Sequence, residues 1–167
     1  RESFRPFAPS VLREDVNEYF DLNEDSPYML IVAPVQKSIR TQLSDKEQDQ
    51  MKDPNLIQRV NVKRSTVPAV THVDMSARVQ TVDEIRNGRY YRLIKRFKEK
   101  TGSGVIINTS FNIRGEPIVC SPQDAYRCFL ATDMDVLVLE NFVLFKSEQT
   151  EESREVRDAY IKSFKLD

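Results

Sequence analysis

Apolar side chains recur at helical spacing in two stretches of the chain, 10–20 and 83–100. In the second stretch they fall at i, i+3, i+4 and i+7, the pattern of a helix with one face in a core: Tyr90, Leu93, Ile94 and Phe97. Gly102 is placed to end that helix. A serine–proline pair predicts a third helix over 121–132, with the serine as its cap.

Short apolar or β-branched runs predict six strands: 28–33, 69–73, 77–82, 105–107, 136–139 and 142–145. Two residues separate the last pair, which predicts a hairpin, and we expect 105–107 in the central sheet. Residues 36–58 are polar with little periodicity and predict a loose helix or a mobile surface insertion. Strands and helices in this order indicate one domain of the α/β or α+β class.

Composition narrows the classes of function. The 167 residues carry 25 basic and 26 acidic side chains, so the charge balance gives no indication of a broad surface that binds nucleic acid. No apolar run approaches the roughly 20 residues of a membrane helix, and no signal-peptide pattern is present, so we expect a cytoplasmic protein. The single histidine excludes a multi-histidine metal site within this chain, and two cysteines make no disulfide framework.

Two polar segments in the first half of the chain fit ligand chemistry. Residues 1–9 combine arginines with prolines, and arginine on a stiffened stretch can grip phosphate, although a solvated terminal arm has the same composition. Residues 72–78 alternate polar and apolar positions, which would place His72, Asp74 and Arg78 at the rim of a sheet. A lone histidine is also often a structural hydrogen-bonding group.

A third polar segment, 107–117, follows a β-branched strand with a run of Asn, Thr and Ser and then a glycine-containing turn. Proteins of the α/β class place ligands at such strand ends, and backbone N–H groups in a turn can bind anions. Ordinary turn chemistry is the alternative interpretation, because Asn, Ser and Gly stabilise turns. Cys120 and Cys128 are interpreted as small core residues, because the sequence places no histidine near them.

Three strings resemble, in order, the C-terminal part of the O-carbamoyltransferase family: FRPFAPSVL (4–12), PAVTHVDMSARVQTV (68–82) and INTSFNIRGEPIVCSPQDAYRCFLATDMDVLVL (107–139). The family includes the nodulation-factor, cephalosporin and aminoglycoside-antibiotic carbamoyltransferases. The resemblance covers 1–146, with weak agreement over 36–64. It leaves 147–167 as a charged tail that is a short helix or is frayed.

This resemblance implies one domain of a two-domain enzyme. The C-terminal domain is similar to the YrdC-like fold, a twisted mixed sheet flanked by helices, and makes carbamoyl-adenylate from carbamoyl phosphate and ATP, with Mg²⁺ expected to accompany the nucleotide. A larger N-terminal domain, similar to the actin/Hsp70-like fold, binds a metal and passes the carbamoyl group to a hydroxyl acceptor. The present chain resembles the C-terminal domain alone, and an isolated domain is not expected to complete the transfer.

The family's phosphate-binding residues carry over by position. Arg1 matches the arginine of a Lys-x-Arg element whose lysine would precede this chain, and Arg5 and Arg78 match the next two arginines. The resemblance implies catalytic roles for Arg5, Arg78 and Ser110, and no metal ligand in this domain. The implied substrate- and nucleotide-binding set is Arg1, Arg5, His72, Arg78, Asn108, Ser110 and Asn112. Met75 stands where the family usually has glycine, a residue that readily adopts positive φ.

Two other functions fit the same residues. The domain could be a nucleotide-binding or structural module that is inactive in isolation, which the missing lysine and Met75 favour. It could also be an RNA-binding module, since some YrdC-like proteins bind double-stranded RNA, but the balanced charge argues against nucleic acid as a partner.

Overall fold

The computed structural model describes residues 6–149 and 154–164. Its strands are β1 (Ala8–Leu12), β2 (Ile31–Pro34), β3 (Ser76–Val82), β4 (Val105–Asn108), β5 (Val136–Leu139) and β6 (Phe142–Phe145). Its helices are α1 (Val16–Tyr19), α2 (Asp45–Gln50), α3 (Leu56–Val60), α4 (Glu84–Thr101), α5 (Pro122–Ala131) and α6 (Arg154–Ser163). The described residues divide into two compact units, an N-terminal unit of residues 6–109 and a C-terminal unit of residues from 110 onward.

A four-stranded mixed sheet in the order β2-β3-β1-β4 forms the centre of the N-terminal unit. Strands β1 and β3 are parallel, with Ser10 opposite Gln80, and the other two pairs are antiparallel. On the far side of β1, Ala8 lies opposite Asn108 of β4. The mixed sheet with its helices confirms the predicted α/β class.

Alternate residues of the sheet enter two separate cores, because successive side chains of a strand point to opposite faces. One face, to which β2 contributes Ala33, packs with α1 around Val11, Val79 and Val105. The other face meets α4: Leu12 and Val82 pack against Tyr91 and Ile94. We call this second surface of the sheet the α4 face.

The C-terminal unit is built on α5 and the β5–β6 hairpin. Ser121 caps α5 in a reciprocal hydrogen-bonding arrangement with Asp124, as the serine–proline signal predicts. Phe129 of α5 is fully buried and packs with Leu137 of β5. Helix α6 contacts α5, and Arg157 forms an ion pair with Asp133 at 2.7 Å.

Several predicted elements are confirmed, and the confirmed ones carry strong local signals. Helix α4 ends at Gly102, which has a positive φ of 79°. The strand predicted at 105–107 is β4, although it forms the edge of the sheet beside β1. Helix α5 and the hairpin of β5 and β6 lie where the sequence predicts them.

Two predicted elements are wrong. The helix expected over 10–20 is instead strand β1 followed by a 3-10 turn and the four-residue α1, because β1 is hydrogen bonded between β3 and β4. Non-local pairing therefore overrides the local apolar spacing. The strand expected over 69–73 is a 3-10 turn at Pro68–Val70, which the proline at its first position favours.

The insertion over 36–58 contains ordered local structure. Ser44 caps α2 through a reciprocal hydrogen bond with Glu47, and Asn55 caps α3. Both helices are short and lack buried residues. Among the described helices, none is both long enough and apolar enough to cross a membrane.

Candidate functional site

The α4 face changes from apolar to polar along the strands. Near α4 it is covered by Leu12, Val82 and Ile106. Two residues earlier on β1 and β3 lie Ser10 and Gln80, which are hydrogen bonded to each other. Since residues two apart on a strand share a face, the side chain of Arg78 lies on the α4 face as well. The polar half of the face ends at Asn108 on β4, whose side chain also contacts Gln80.

Hydrogen bonds join these polar side chains into one cluster. The Gln80 amide nitrogen Nε2 donates to the backbone oxygen of Pro27 at 3.0 Å. Its oxygen Oε1 accepts from Ser10 Oγ at 2.7 Å and from Asn108 Nδ2 at 2.6 Å. Burial raises the pKa of Tyr90, and a hydrogen bond with the Ser10 side chain offsets part of this rise. We call Ser10, Gln80, Tyr90 and Asn108 the amide cluster.

Arg78 lies beside the amide cluster and is exposed. It is two residues before Gln80 on β3, and the parallel register places it next to Ala8, which lies opposite Asn108. Within the described part of the chain, no carboxylate or carbonyl accepts a hydrogen bond from its guanidinium. An exposed guanidinium without a partner is free to bind an anion.

His72 begins a turn at the start of β3, at the same end of the sheet as Arg78. Its backbone oxygen accepts from Met75 N at 3.1 Å, and its Nδ1 is hydrogen bonded to Ser76 Oγ at 3.1 Å. Ser76 also donates from its hydroxyl to Asp74 at 2.6 Å, which holds the pKa of Asp74 below its usual value. Burial lowers the pKa of His72, the Asp74 charge opposes that shift, and the charge of Arg78 reinforces it.

The lowered pKa of His72 predicts a specific pH dependence of stability. The unfolded chain binds a proton at His72 near pH 6.5, whereas the folded protein does so only at lower pH. The free energy of unfolding is therefore expected to fall as the pH drops below about 6.5 towards the folded value. A His72→Gln variant is expected to show a flatter profile between pH 7 and 5 in urea titrations. Because His72 is the only histidine, a slope unchanged in the variant would contradict this assignment.

Met75 adopts the left-handed conformation, with φ of 65°. It closes the turn that begins at His72, and its backbone oxygen accepts from Val35 N at 2.8 Å, which ties the turn to the end of β2. An L-residue with a side chain pays about 1–2 kcal/mol for this conformation. The glycine of the resembling family fits the same backbone without that strain.

A Met75→Gly variant is therefore expected to be more stable than a Met75→Ala variant by about 1 kcal/mol. Both substitutions remove the thioether, and alanine alone keeps the Cβ atom that causes the strain. Denaturant unfolding of the two variants measures the difference. If alanine matches glycine, the turn is not strained at this position.

The remaining candidate residues belong to the C-terminal unit or are outside the described residues. Ser110 and Asn112 belong to the C-terminal unit, where Ser110 is exposed. Arg1 and Arg5 lie outside the described residues. The structure thus brings His72, Arg78 and Asn108 to one end of one sheet, all within the N-terminal unit.

Asn112 uses its amide nitrogen inside its own turn. Its Nδ2 donates to the backbone oxygens of Ile113 at 3.1 Å and Glu116 at 2.8 Å. Its Oδ1 is buried, and no hydrogen-bond donor among the described residues reaches it. This leaves Asn112 with an acceptor, which suits a hydrated Mg²⁺ or a donor group better than a phosphate oxygen. No group of three His, Cys, Asp or Glu side chains in residues 6–149 and 154–164 is placed to hold a metal ion.

Sequence reasoning missed the members of the amide cluster other than Asn108. Gln80 stands between Val79 and Thr81 in a β-branched run, so only its polar character at a half-buried strand position could have marked it. Its partners are distant in the chain, since Ser10 is 70 residues away and Pro27 is 53 residues away.

Comparisons with known proteins agree with the resemblance read from the sequence. Residues 1–146 match the family described as Carbamoyltransferase C-terminus. The chain is 56% identical over its whole length to an uncharacterized protein of Synechocystis. It is 41% identical over 87% of its length to the nodulation protein NolNO of Sinorhizobium fredii, and 35% identical over 71% to the 3'-hydroxymethylcephem-O-carbamoyltransferase of Amycolatopsis lactamdurans.

The mixed sheet and its helices define this protein as a member of the α/β class. The family match over most of the chain goes further: the chain belongs to the carbamoyltransferase C-terminus family. It spans 26% of the length of the Synechocystis relative and 18% of the length of each of the other two relatives.

Proposed function

We propose that this domain binds ATP and carbamoyl phosphate and forms carbamoyl-adenylate for O-carbamoyl transfer, with the transfer itself made by an N-terminal actin/Hsp70-like domain of a longer protein. The observation that carries the proposal is Arg78, exposed and unpaired in the described part of the chain beside the neutral amide cluster. An arginine binds phosphate oxygens, and the Asn108 amide next to it suits the carbamoyl group. Membership of the carbamoyltransferase family supports this pairing of ligands.

Formation of carbamoyl-adenylate depends more on positioning the two reactants than on proton transfer. Water hydrolyses carbamoyl phosphate to carbamate and inorganic phosphate. A carbamate oxygen then attacks the α-phosphorus of ATP while the bond from that phosphorus to pyrophosphate breaks. Arg78 would neutralise the charge that develops on the phosphate oxygens, together with Arg5. Asn108 would hold the carbamoyl amide in line. Mg²⁺ is expected to accompany the nucleotide and would screen the charge of its polyphosphate.

Arg78→Ala is expected to weaken ATP binding by about 1.5–3 kcal/mol, the range for a hydrogen bond to a charged group. Arg78→Lys is expected to recover part of this loss, because an ammonium lacks the bidentate fork. Isothermal titration calorimetry with ATP measures both, and Arg92→Ala on the exposed side of α4 is the matched control. Equal losses in the Arg78→Ala and Arg92→Ala variants would reject Arg78 as a phosphate ligand.

The alternative is a nucleotide-binding or structural module without catalysis. Release of pyrophosphate from ATP, dependent on carbamoyl phosphate, separates the two when it is assayed in the full-length protein. Binding of ATP without that release identifies a binding module. Titration with an RNA duplex in the same calorimeter tests the RNA-binding alternative, for which the net charge of −1 gives no support.

A further inference from the structure

One hydrogen-bond partner of the amide cluster has a fixed role, the backbone oxygen of Pro27. A carbonyl oxygen only accepts hydrogen bonds, so the Gln80 atom that lies 3.0 Å from it is the donor Nε2. The Gln80 oxygen Oε1 must then face the opposite way, towards β1 and β4. The orientation of the Gln80 amide is thus determined by a group that has no alternative hydrogen-bonding role.

The orientation of the Gln80 amide determines the orientation of the Asn108 amide. Gln80 Oε1 only accepts, so the Asn108 atom at 2.6 Å from it is the donor Nδ2. Ser10 occupies the other side of Oε1 as a second donor at 2.7 Å. The Asn108 oxygen Oδ1 therefore points away from Gln80, and in the described residues no donor reaches it. Asn108 is half-buried, and Oδ1 is not among the buried atoms that lack partners, so it is open to solvent.

We infer that Gln80 is a positioning residue that makes Asn108 present a hydrogen-bond acceptor to the ligand. An acceptor repels a phosphate oxygen and attracts an N–H group, so the ligand atom at Asn108 is the amide nitrogen of the carbamoyl group. Arg78, two residues before Gln80, then receives the phosphate side of the same ligand. This inference rests on the proposed function and adds the residue that selects carbamoyl over other acyl phosphates.

Acetyl phosphate is the matched probe, because it replaces the carbamoyl NH₂ with a methyl group of similar size and keeps the phosphate. The wild-type protein is expected to bind carbamoyl phosphate roughly tenfold more tightly than acetyl phosphate, the effect of one hydrogen bond to a neutral acceptor. Gln80→Met keeps the length of the side chain and removes both hydrogen-bonding atoms. It is expected to lower carbamoyl phosphate affinity to that of acetyl phosphate, which itself stays within about twofold of wild type.

Two further variants complete the test. Gln80→Glu keeps an acceptor towards Ser10 and Asn108. The added charge is expected to weaken the binding of both acyl phosphates, but the ratio of their affinities is expected to remain unchanged. Gln42→Met, at an exposed position, is expected to change nothing. The side-chain NH₂ signals of Asn108 in asparagine-labelled protein give a readout without ligand. They are expected to exchange slowly in wild type and in the Gln42→Met variant, and rapidly in the Gln80→Met variant.

The outcomes separate the inference from the proposed function. If the wild-type protein binds both acyl phosphates equally and Arg78→Ala weakens the binding of both, Arg78 is supported as a phosphate ligand and the positioning role inferred for Gln80 is rejected. If Gln80→Met retains the tenfold preference, the inference is likewise overturned. If neither acyl phosphate binds, the proposed function fails and the inference fails with it.

Discussion

An Arg64→Met variant is expected to lose about 3–5 kcal/mol of unfolding free energy, the cost of leaving several buried polar groups without a partner. Arg64 is only 1% exposed, although it is an arginine. Its guanidinium donates to the backbone oxygens of five residues: Arg59, Val60, Val62, Thr71 and His72. Burial lowers the pKa of Arg64, and among the described residues no carboxylate accepts a hydrogen bond from its guanidinium.

The hydrogen bonds of Arg64 connect the C-terminal end of α3 to the candidate site. One side of the guanidinium donates to the backbone oxygens of Arg59, in the last turn of α3, and of Val62, just after it. The other side donates to the backbone oxygen of His72, where the turn before β3 begins. The variant is therefore expected to loosen the His72 turn as well as to destabilise the protein. Amide hydrogen exchange at Met75 and Ser76, whose N–H groups close that turn, should rise in Arg64→Met.

Lys63→Met is the matched control, because Lys63 precedes Arg64 and is exposed. It is expected to change stability by less than about 0.5 kcal/mol. Arg64→Lys should recover only part of the loss, because one ammonium cannot reach both groups of carbonyls. Urea unfolding of the three variants measures these differences. Similar stabilities for Arg64→Met and Lys63→Met would show that the buried guanidinium does not hold this region together.

The elements that were predicted correctly are those whose signals are local. Helix α4 has an apolar stripe and a terminal glycine, α5 has a serine cap followed by proline, and β5 and β6 are separated by a two-residue turn. Strand β1 lacks such a signal. Its residues carry apolar side chains at a spacing that also fits a helix, and pairing with β3, 70 residues away, decides its conformation.

The residues in and around the candidate site also differ in whether local sequence signals mark them. Arg78 and Asn108 could be proposed because polar side chains at strand ends mark ligand sites in α/β proteins. Gln80 and Arg64 could not, because their roles depend on backbone oxygens that only the folded chain brings near. Polar residues within apolar or loop segments carry no periodic signal, so their partners must be read from the structure.

In the C-terminal unit, Glu116→Ala is expected to lower the unfolding free energy by about 2–4 kcal/mol, because it leaves two donors unpaired in a buried place. Glu116 is 7% exposed. Its carboxylate accepts from Ile113 N at 2.8 Å and from the Tyr160 hydroxyl of α6. Glu148→Ala, at an exposed position, is the matched control and is expected to change little. Equal losses in the two variants would contradict a structural role for Glu116.

Cys128 reports on the same carboxylate. Burial raises the pKa of the Cys128 thiol to about 11, and a hydrogen bond to Glu116 and its charge add to the shift. In Glu116→Gln the charge is removed, so the pKa of Cys128 is expected to fall while burial keeps it above the usual value. The Cβ chemical shift of labelled cysteine followed against pH measures this. Cys120 serves as the internal reference, because it is exposed and the core position predicted for it is wrong, whereas Cys128 is buried as predicted. An unchanged Cys128 pKa would mean that the Glu116 carboxylate does not face this core. Glu116 also stabilises the turn whose backbone oxygens accept hydrogen bonds from the Asn112 amide. The same result would therefore contradict the orientation given for Asn112.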